Sequence, residues 1–243
     1  MNATSMRQLL SLQCEYPDLI PDYWDTVEPI DTPFHKDDLE DIVSEFSAHS
    51  QCDSRALVFL NRFAWPGFDQ SIDLRNKPIQ WTTAHNIIEI TFNHEWVDGA
   101  QVLAHFISRA AVFLSPDYAS VPQWKADVAR YAEFRVSYTP QEFQKIIATR
   151  ATHAPFGPFG CLGDIQWFNY FGEVHIDLIG KNRLLNAGWA HVDESDGGIA
   201  CYATEKLDDP NARARRKEIA KSLDEFVWSP GCKAEDKRIP TFG

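Results

Sequence analysis

Two stretches in the first half of the chain have the hydrophobic pattern of β-strands. Residues 56–65 are apolar on both faces at their start, as a central strand would be. Residues 86–94 alternate between apolar and polar positions, so that Ile88 and Ile90 share one face. The short segments SIDLR and PIQW between them read as further strands, and the four segments together predict a mainly antiparallel sheet within residues 55–93.

Helical periodicity flanks this sheet on both sides. Residues 32–49 have an apolar stripe, with Asp31 or Thr32 as the predicted N-cap and Pro33 at the first helical position. Residues 99–114 form the longest predicted helix, and its apolar side is expected to cover the sheet. That side consists of Leu103, Phe106, Ile107 and Ala110.

The second half repeats the mixture on a smaller scale, after a boundary at residues 151–163 that is rich in glycine and proline. Residues 173–188 read as a helical segment that is broken near Gly180 and capped by Gly188. Residues 189–204 read as a β-hairpin with an Asp-Gly-Gly turn, and a proline-initiated helix follows.

These elements predict an α+β fold, in which helices cover a mainly antiparallel sheet. We expect one domain over residues 1–243, built as a single compact unit of two closely packed lobes. Its parts are an acidic N-terminal helical segment at 1–50, a sheet with the long helix at 55–150, and a smaller α+β half at 159–243.

The charge of the chain is negative and unevenly distributed. The whole sequence has a net charge of −12, and residues 1–50 hold eleven acidic residues against Arg7 and Lys36, a net charge of −9. Such acidity repels a phosphate backbone, which argues against direct nucleic-acid binding. It suits a basic protein partner, whose approach it would accelerate. The alternative is a solvated acidic surface that only aids solubility.

The sequence also predicts the cellular setting. No apolar run is long enough to span a bilayer, and the N-terminus lacks the apolar core of a secretion signal. The five cysteines are scattered and include no CxxC pair, so that neither a disulfide framework nor a zinc site is indicated. We therefore expect a cytoplasmic protein with reduced thiols and no membrane contact.

Common catalytic and cofactor motifs are missing from the sequence. HEWVD at 94–98 lacks the second histidine, four residues after the first, that a zincin helix needs. No histidine is spaced so as to identify a base for Cys161, and no pair of carboxylates is singled out as acid and base. We expect no catalytic residue, no metal and no cofactor. An uncharacterised hydrolase and an adaptor or structural protein remain as alternatives.

The segment GDIQWFNYFG contains four aromatic residues. The spacing of Trp167, Phe168 and Phe171 fits a packed strand or turn that enters a helix, which predicts a structural role in the core. Asn169 and Tyr170, in contrast, are candidates for polar contacts with a partner.

A family resemblance rests on this part of the chain. LGDIQWFNYFGEVHIDLIGKNRLLNAGW, followed by a hairpin, GGIACYATE and a final helix, resembles the C-terminal half of bacterial toxin-immunity proteins. The shared order is W-x-N-x-[FL]-G, a short helix that ends in glycine, LL, a hairpin and a proline-started helix. RFAWPGFDQSIDLR as the leading hairpin and TFNHEW before the long helix also fit. The chain is similar to immunity families encoded beside type VI secretion effectors, in particular those paired with restriction-endonuclease-like toxins.

The resemblance implies that the protein is not an enzyme. It implies instead an immunity protein that binds and neutralises a cognate effector toxin, a nuclease, in the cytoplasm of the producing cell. Nuclease toxins carry basic clefts for phosphate, which an acidic inhibitor imitates and occludes. Direct occlusion and holding the toxin misassembled are both compatible with the resemblance, and so are a monomer and a homodimer.

Candidate toxin-binding residues are acids and nearby aromatic or polar residues, mainly from the first half. The acidic candidates are Asp37, Asp38, Glu40, Asp41, Asp69, Asp73, Glu95 and Asp98. The aromatic and polar candidates are Tyr23, Trp24, Trp96, Asn169 and Tyr170. Acidic side chains are expected to raise the association rate, while desolvated aromatic side chains hold the complex together.

Overall fold

The computed structural model describes most of the helices and strands of the chain. The described residues are 3–25, 31–49, 54–61, 68–75, 87–92, 99–116, 118–121, 162, 164–227 and 236–238. For residues 46–49, 54–61, 68–75 and 87–92 it describes the backbone alone. The chain divides into two compact units, Met1–Leu114 and Ser115–Gly243. Helices and antiparallel sheets occur in both units, which confirms the predicted α+β class.

The N-terminal unit combines helices with a five-stranded sheet. Its elements are α1 (Ala3–Gln13), β1 (Tyr23–Asp25), β2 (Thr32–Pro33), α2 (Leu39–His49), β3 (Ser54–Asn61), β4 (Phe68–Arg75), β5 (Ile87–Phe92) and α3 (Gly99–Leu114). The strands pair antiparallel in the order β2-β1-β3-β4-β5. Strand β5 and helix α3 confirm two of the predicted elements. The predicted strand PIQW lies outside the described residues.

Helix α1 adds a layer that the sequence analysis did not anticipate. It packs against α2 and α3, and its apolar stripe of Met6, Leu9 and Leu10 is buried. On α3, Phe106 is buried as predicted, whereas Ile107 is only half-buried. A helical segment was predicted within residues 1–50, but only residues 32–49 were assigned to a helix, although the stripe on α1 also has helical spacing.

The predicted start of α2 is wrong by several residues. Thr32 and Pro33, read as its N-cap and first turn, form strand β2 and pair with Trp24 and Tyr23 of β1. Proline lacks a backbone N–H, so it fits a short edge strand as well as a first helical turn. A 3₁₀ turn at Lys36–Asp38 then leads into the helix.

The C-terminal unit contains a four-stranded sheet and three short helices in its described part. Its elements are β6 (Tyr118–Val121), β7 (Phe168–Gly172), α4 (Glu173–Ile179), α5 (Lys181–Leu185), β8 (His191–Ser195), β9 (Gly198–Tyr202) and α6 (Ala212–Ser222). The antiparallel strand order is β6-β7-β9-β8. Strands β8 and β9 confirm the predicted hairpin. Strand β6 pairs with β7, although the sequence analysis grouped it with residues 55–150.

Gly180 ends a helix as predicted, whereas α5 is capped by Asn186 and the predicted cap, Gly188, lies two residues further on. Gly180, at φ 90°, separates α4 from α5, and Gly188, at φ 97°, follows the end of α5. Backbone with positive φ is strained for residues that carry a Cβ, so glycine is favoured at both positions. Next to the second glycine, the Trp189 indole donates a hydrogen bond to the Leu184 carbonyl (2.8 Å) and fixes the chain as it enters β8.

One hydrophobic core joins α4, α5 and α6 to one face of the C-terminal sheet. Phe171 and Ile199 from the sheet belong to the same buried cluster as Ile219 of α6. Arg216, from the basic turn RARRK that would be expected to be solvated, is buried as well. Its Nη1 donates to the Ile165 carbonyl at 3.4 Å. Arginine tolerates such a position because its long stem packs against apolar atoms while its head finds acceptors.

Candidate partner-binding surface

The register of the N-terminal sheet assigns its residues to two faces that differ in chemistry. Successive residues of a strand lie on opposite faces, and residues paired across neighbouring strands share a face. One face contains Trp24 and mainly apolar residues of the other strands. These are Leu57, Phe59, Phe68, Ile72, Leu74, Ile88, Ile90 and Phe92. Such a composition is typical of a face that packs on a core.

The opposite face collects the acidic residues of the sheet. Asp69 shares a row with Leu60 and Tyr23, and Glu89 shares a row with Asp25. We refer to this side as the acidic sheet face. Its acidic residues are Asp25, Asp69, Asp73 and Glu89. The carboxylates thus come from three strands that are far apart in sequence.

Two of these acids, Asp69 and Asp73, were predicted to be toxin-binding residues near strand ends and turns. Both lie in β4, Asp69 as its second residue and Asp73 two residues before its end, and they share a face because they are four residues apart. Glu89 was not among the predicted site residues. The alternation in residues 86–94 already placed Glu89 opposite the apolar positions, but only the register shows that it joins Asp69 and Asp73.

The aromatic candidates of β1 are separated by the same alternation. Tyr23 lies on the acidic sheet face, whereas Trp24 lies on the apolar face beside Phe59. Both side chains are half-buried. Of the two aromatic candidates, only Tyr23 shares a face with the acidic residues of the sheet. Trp24, the other candidate, lies on the opposite face. Asp25, at the end of the strand, accepts a hydrogen bond from the Thr32 hydroxyl (3.2 Å).

A second group of predicted acidic residues surrounds the start of α2. We refer to Asp37, Asp38 and Asp41 as the α2 acidic group; the first and last are exposed, and Asp38 is half-buried. None of the three forms an ion pair with a described residue. Carboxylates at this end of a helix also interact favourably with its backbone dipole. The group therefore has a structural role besides any role in binding.

Glu40, the fourth acid of this stretch, is already paired within the protein. Its two carboxylate oxygens accept hydrogen bonds from Nε and Nη2 of Arg7, both at 2.6 Å. Hydrogen bonding to the guanidinium holds the pKa of Glu40 below its ordinary value. Because the bidentate pair offsets its charge, Glu40 contributes less to an external field than the α2 acidic group.

Asn169 and Tyr170, the predicted polar contacts, are buried and do not form part of a partner surface. Asn169 is fully buried and Tyr170 is 1% exposed. The Asn169 side chain accepts hydrogen bonds from the Tyr118 hydroxyl (2.7 Å) and the Gln166 backbone N–H (2.9 Å), and donates one to the Gln166 carbonyl (2.9 Å). Its polar atoms are thus used inside the protein. Trp167, Phe168 and Phe171 are buried as predicted.

Three remaining candidates, Glu95, Trp96 and Asp98, lie outside the described residues. The same is true of His94 and Cys161, the residues considered for metal binding and nucleophilic chemistry. Among the residues that the structure describes, no group of His, Cys, Asp and Glu could hold a metal ion. In the same residues, no helix is long and apolar enough to cross a membrane.

The C-terminal unit contains a buried polar cluster around Asn169. Tyr118 lies near Asn169, and its ring is 5.8 Å from that of His175. Burial raises the pKa of the Tyr118 hydroxyl and that of the Cys201 thiol. Both groups are therefore held in their neutral forms, in which a thiol is a poor nucleophile. The cluster fits a structural hydrogen-bond network.

Comparisons with known proteins add information on the fold. No protein-family model matches the chain, and no curated protein does either. Among solved structures, the chain is similar to one described as the T6SS protein PA0821 of Pseudomonas aeruginosa, T6SS denoting the type VI secretion system. The TM-score is 0.52 and the sequence identity 12%, over 93% of this chain and 72% of that chain. The two chains share a fold.

Proposed function

We propose that this protein acts in type VI secretion as an immunity protein, which binds a basic effector toxin, a nuclease, and neutralises it. The observation that carries the proposal is the acidic sheet face, where Asp69, Asp73 and Glu89 share one side of the sheet. The likeness of the fold to that of a T6SS protein supports it. So does the resemblance of residues 162–189 to immunity families.

The electrostatics of the N-terminal unit suit such a partner. A nuclease needs positive charge in its substrate cleft, and the net charge of −9 in residues 1–50 attracts a surface of that kind. Asp69, Asp73 and Glu89 are not paired directly with one another, because Glu89 is paired with Ser71, which lies between the two aspartates on β4. On the acidic sheet face, Glu89 is therefore diagonal to both Asp69 and Asp73, at about 7–8 Å from each position.

The first experiment tests protection. The gene is expressed in a bacterial host together with the effector encoded beside it, and growth is compared with that of cells carrying the effector alone. We expect restored growth and a complex of the two proteins that survives purification. Toxicity that persists, together with no complex between the purified proteins, would refute the proposal.

The second experiment tests whether charge drives association. A triple variant, Asp37→Asn, Asp38→Asn and Asp41→Asn, removes the charges of the α2 acidic group. At low salt we expect its association rate with the effector to be roughly three- to tenfold lower than that of the unmodified protein. At 1 M salt, where the screening length is about 3 Å, the two rates should converge.

The control for this experiment removes the same charge elsewhere. Glu173→Gln, Glu205→Gln and Asp208→Asn change three exposed acids of the C-terminal unit. Glu40 is left unchanged in both variants, because its pairing with Arg7 would add a stability effect to the kinetic one. Equal rates for the test and control variants would mean that net charge alone steers association. A lower association rate for the test variant alone would show that the effector first approaches the α2 acidic group.

A further inference from the structure

Strand β8 is an exposed edge of the C-terminal sheet. It lies at one end of the strand order β6-β7-β9-β8, and all of its residues except Val192 are exposed. Strand β6, at the other end, has no exposed residue. In the N-terminal unit, the edge strand β2 has only two residues, and Pro33 lacks a backbone N–H. Of these three edges, β8 is the one that an additional strand can reach and pair with over several residues.

Two backbone hydrogen bonds show the direction in which the residues of β9 bond. The Ala203 N–H, one residue after β9, donates to the Trp167 carbonyl at 2.8 Å, on the side of β7. The Tyr202 carbonyl accepts a bond from the Ala190 N–H at 2.9 Å, immediately before β8. Because the direction alternates along an antiparallel strand, the even-numbered residues of β9 bond towards β8 and the odd-numbered residues bond towards β7.

This alternation leaves two residues of β8 with unused backbone groups. The even-numbered residues of β9 are paired in register with His191, Asp193 and Ser195. Val192 and Glu194 lie between these residues, so their N–H and C=O groups point away from the sheet. No described residue forms a hydrogen bond with these groups. Such a row of backbone groups is a template for a further strand.

The side chains along this edge are mainly acidic. Asp193, Glu194 and the turn residue Asp196 are exposed. The Asp193 carboxylate lies 2.9 Å from the His191 imidazole, and Glu194 forms an ion pair with Lys181. The side chains of Asp193 and Glu194 nevertheless remain 60% and 47% exposed. The carboxylates of the edge therefore outnumber its lysine and stay accessible to a partner.

We infer that β8 is the docking edge for an extended basic segment of the effector, which adds a strand to the C-terminal sheet and places Lys or Arg beside Asp193 and Glu194. The inference rests on the proposed function and adds a contact in the C-terminal unit. Backbone hydrogen bonds supply affinity in this mode of binding, and side chains supply specificity. A second copy of this chain would bring the same acids to the edge, where like charges on neighbouring strands destabilise pairing.

The length of the edge sets the length of the docked segment. Five residues at about 3.4 Å each give an edge of about 17 Å. A segment of about five residues covers it and pairs with the outward N–H and C=O groups of Val192 and Glu194. Its lysine and arginine side chains then need to span one strand spacing, about 5 Å, to meet the carboxylates of β8.

The first test measures backbone amide hydrogen exchange by NMR. The protein is compared alone and in complex with the effector encoded beside its gene. In the free protein we expect the amides of Val192 and Glu194 to exchange fast, whereas the Asp193 amide is protected by its bond to β9. In the complex, exchange at Val192 and Glu194 should slow by about tenfold or more. Asp193 is the internal control, because its bond is present in both states.

Two results of this test would overturn the inference. Unchanged exchange at Val192 and Glu194 in a complex that does form would show that the effector leaves the edge unpaired. Exchange that slows in the free protein as its concentration rises would show that a second copy of the chain occupies the edge.

The second test separates the backbone of the edge from its charge. Glu194→Ala and Glu194→Pro both remove the carboxylate, but only the proline removes the outward N–H. Edge strands accept proline where the N–H faces solvent, and circular dichroism verifies that both variants are folded. We expect Glu194→Ala to bind the effector about twofold more weakly than the unmodified protein. Glu194→Pro should bind about tenfold more weakly than Glu194→Ala. Equal binding of the two variants would contradict strand addition.

The third test concerns the basic character of the segment. Asp193→Asn combined with Asp196→Asn removes two carboxylates of the edge, and Asn-Gly retains a favoured hairpin turn. The control, Glu205→Gln with Asp208→Asn, removes two exposed carboxylates elsewhere in the same unit. We expect about threefold weaker binding of the effector for the first pair and no change for the control. Equal effects would show that the acids of the edge do not select the segment.

These outcomes separate the inference from the proposed function. If the protein protects cells and binds the effector, but exchange at Val192 and Glu194 does not change, the inference is wrong and the function stands. If the protein neither protects cells nor binds the effector, the proposed function is wrong. The inference then fails as well, because the edge no longer has the partner assigned to it.

Discussion

The sheets of the two units use apolar and polar residues in opposite ways. In the N-terminal sheet, alternation places Asp69, Asp73 and Glu89 on one face and most of the large apolar residues on the other. In the C-terminal sheet, every residue of the central strand β7 is buried, so both faces of that strand are interior. The aromatic segment of the chain therefore belongs to the core, and the acidic candidate surface comes from a part of the chain with ordinary composition.

This difference shows how far local composition can mislead. Five consecutive residues without a charge, FNYFG, would suit a binding segment as well as a buried strand. The position of β7 between β6 and β9 decides in favour of the buried strand. The sequence of a strand that is buried on both faces is a nearly continuous apolar run. The sequence of a strand with one polar face alternates between apolar and polar residues.

The largest loss of stability is expected for a substitution in the buried strand β7. Phe171→Ala removes a fully buried ring that lies 5.4 Å from that of Tyr118, and should lower the free energy of unfolding by about 3–5 kcal/mol. Chemical denaturation measures this change. Lys217→Ala, at an exposed position of α6, is the control and should change the free energy by no more than about 0.5 kcal/mol. A loss below about 1 kcal/mol for Phe171→Ala would break the comparison between the sheets.

The polar residue of β7 provides the next test. Asn169→Ala removes the hydrogen bond from the buried Tyr118 hydroxyl and two further hydrogen bonds, so we expect a loss of about 2–4 kcal/mol. A double-mutant cycle with Tyr118→Phe should give a coupling free energy of about 1 kcal/mol. If Asn169 were instead a partner contact, its replacement would weaken effector binding and leave stability nearly unchanged.

A smaller loss of stability is expected at Gly198, which is closely packed in the hairpin of β8 and β9. A Cβ at Gly198 would clash with the Phe171 carbonyl and would lie 2.5 Å from the Tyr170 hydroxyl. Gly198→Ala should therefore cost about 1–3 kcal/mol. Gly180→Ala, where a Cβ would meet open space but φ is 90°, should cost about 1 kcal/mol. Thermal unfolding compares the two variants.

A rescue experiment sharpens this prediction. Tyr170→Phe removes the hydroxyl oxygen that the added methyl group would meet, so it should recover part of the stability lost by Gly198→Ala. Recovery should be incomplete, because the Phe171 carbonyl stays in place and the ring carbon Cζ of residue 170 stays 2.6 Å from the added methyl group. The same second substitution should have no restoring effect on Gly180→Ala. Full rescue would contradict this packing.

The smallest effect is expected at the exposed ion pair of the N-terminal unit. The pKa of Glu40 is lowered by Arg7 in the folded state, so the pair stabilises the protein above the ordinary pKa of 4.5. That stabilisation is lost as the pH falls through the lowered folded pKa. The stability difference between the unmodified protein and Glu40→Gln should therefore shrink between pH 6 and pH 3, and also with added salt. A difference that is independent of pH would contradict the pairing.

Much of the fold follows from local sequence. The period of residues 86–94 and of 99–114 sets strand β5 and helix α3, because hydrophobic spacing is a property of adjacent turns and pleats. Gly180 breaks the helical segment through its own backbone conformation. The Asp-Gly turn between β8 and β9 is likewise chosen by residues that neighbour each other in the chain.

The candidate site depends instead on contacts between distant residues. Nothing local to Thr32 and Pro33 distinguishes an edge strand from a helix start, and the pairing with β1 decides between them. The Asn169 side chain became an internal bridge because Tyr118, 51 residues earlier in the chain, supplies its donor. Asp25, Asp69 and Glu89 share a face because four strands, β1, β3, β4 and β5, pair in one register. The sequence by itself determined the hydrophobic periodicity of the helices and strands and the break at Gly180, because these depend on residues close together in the chain. The tertiary structure decided which distant residues come together, because strand pairing joins segments that are far apart in sequence.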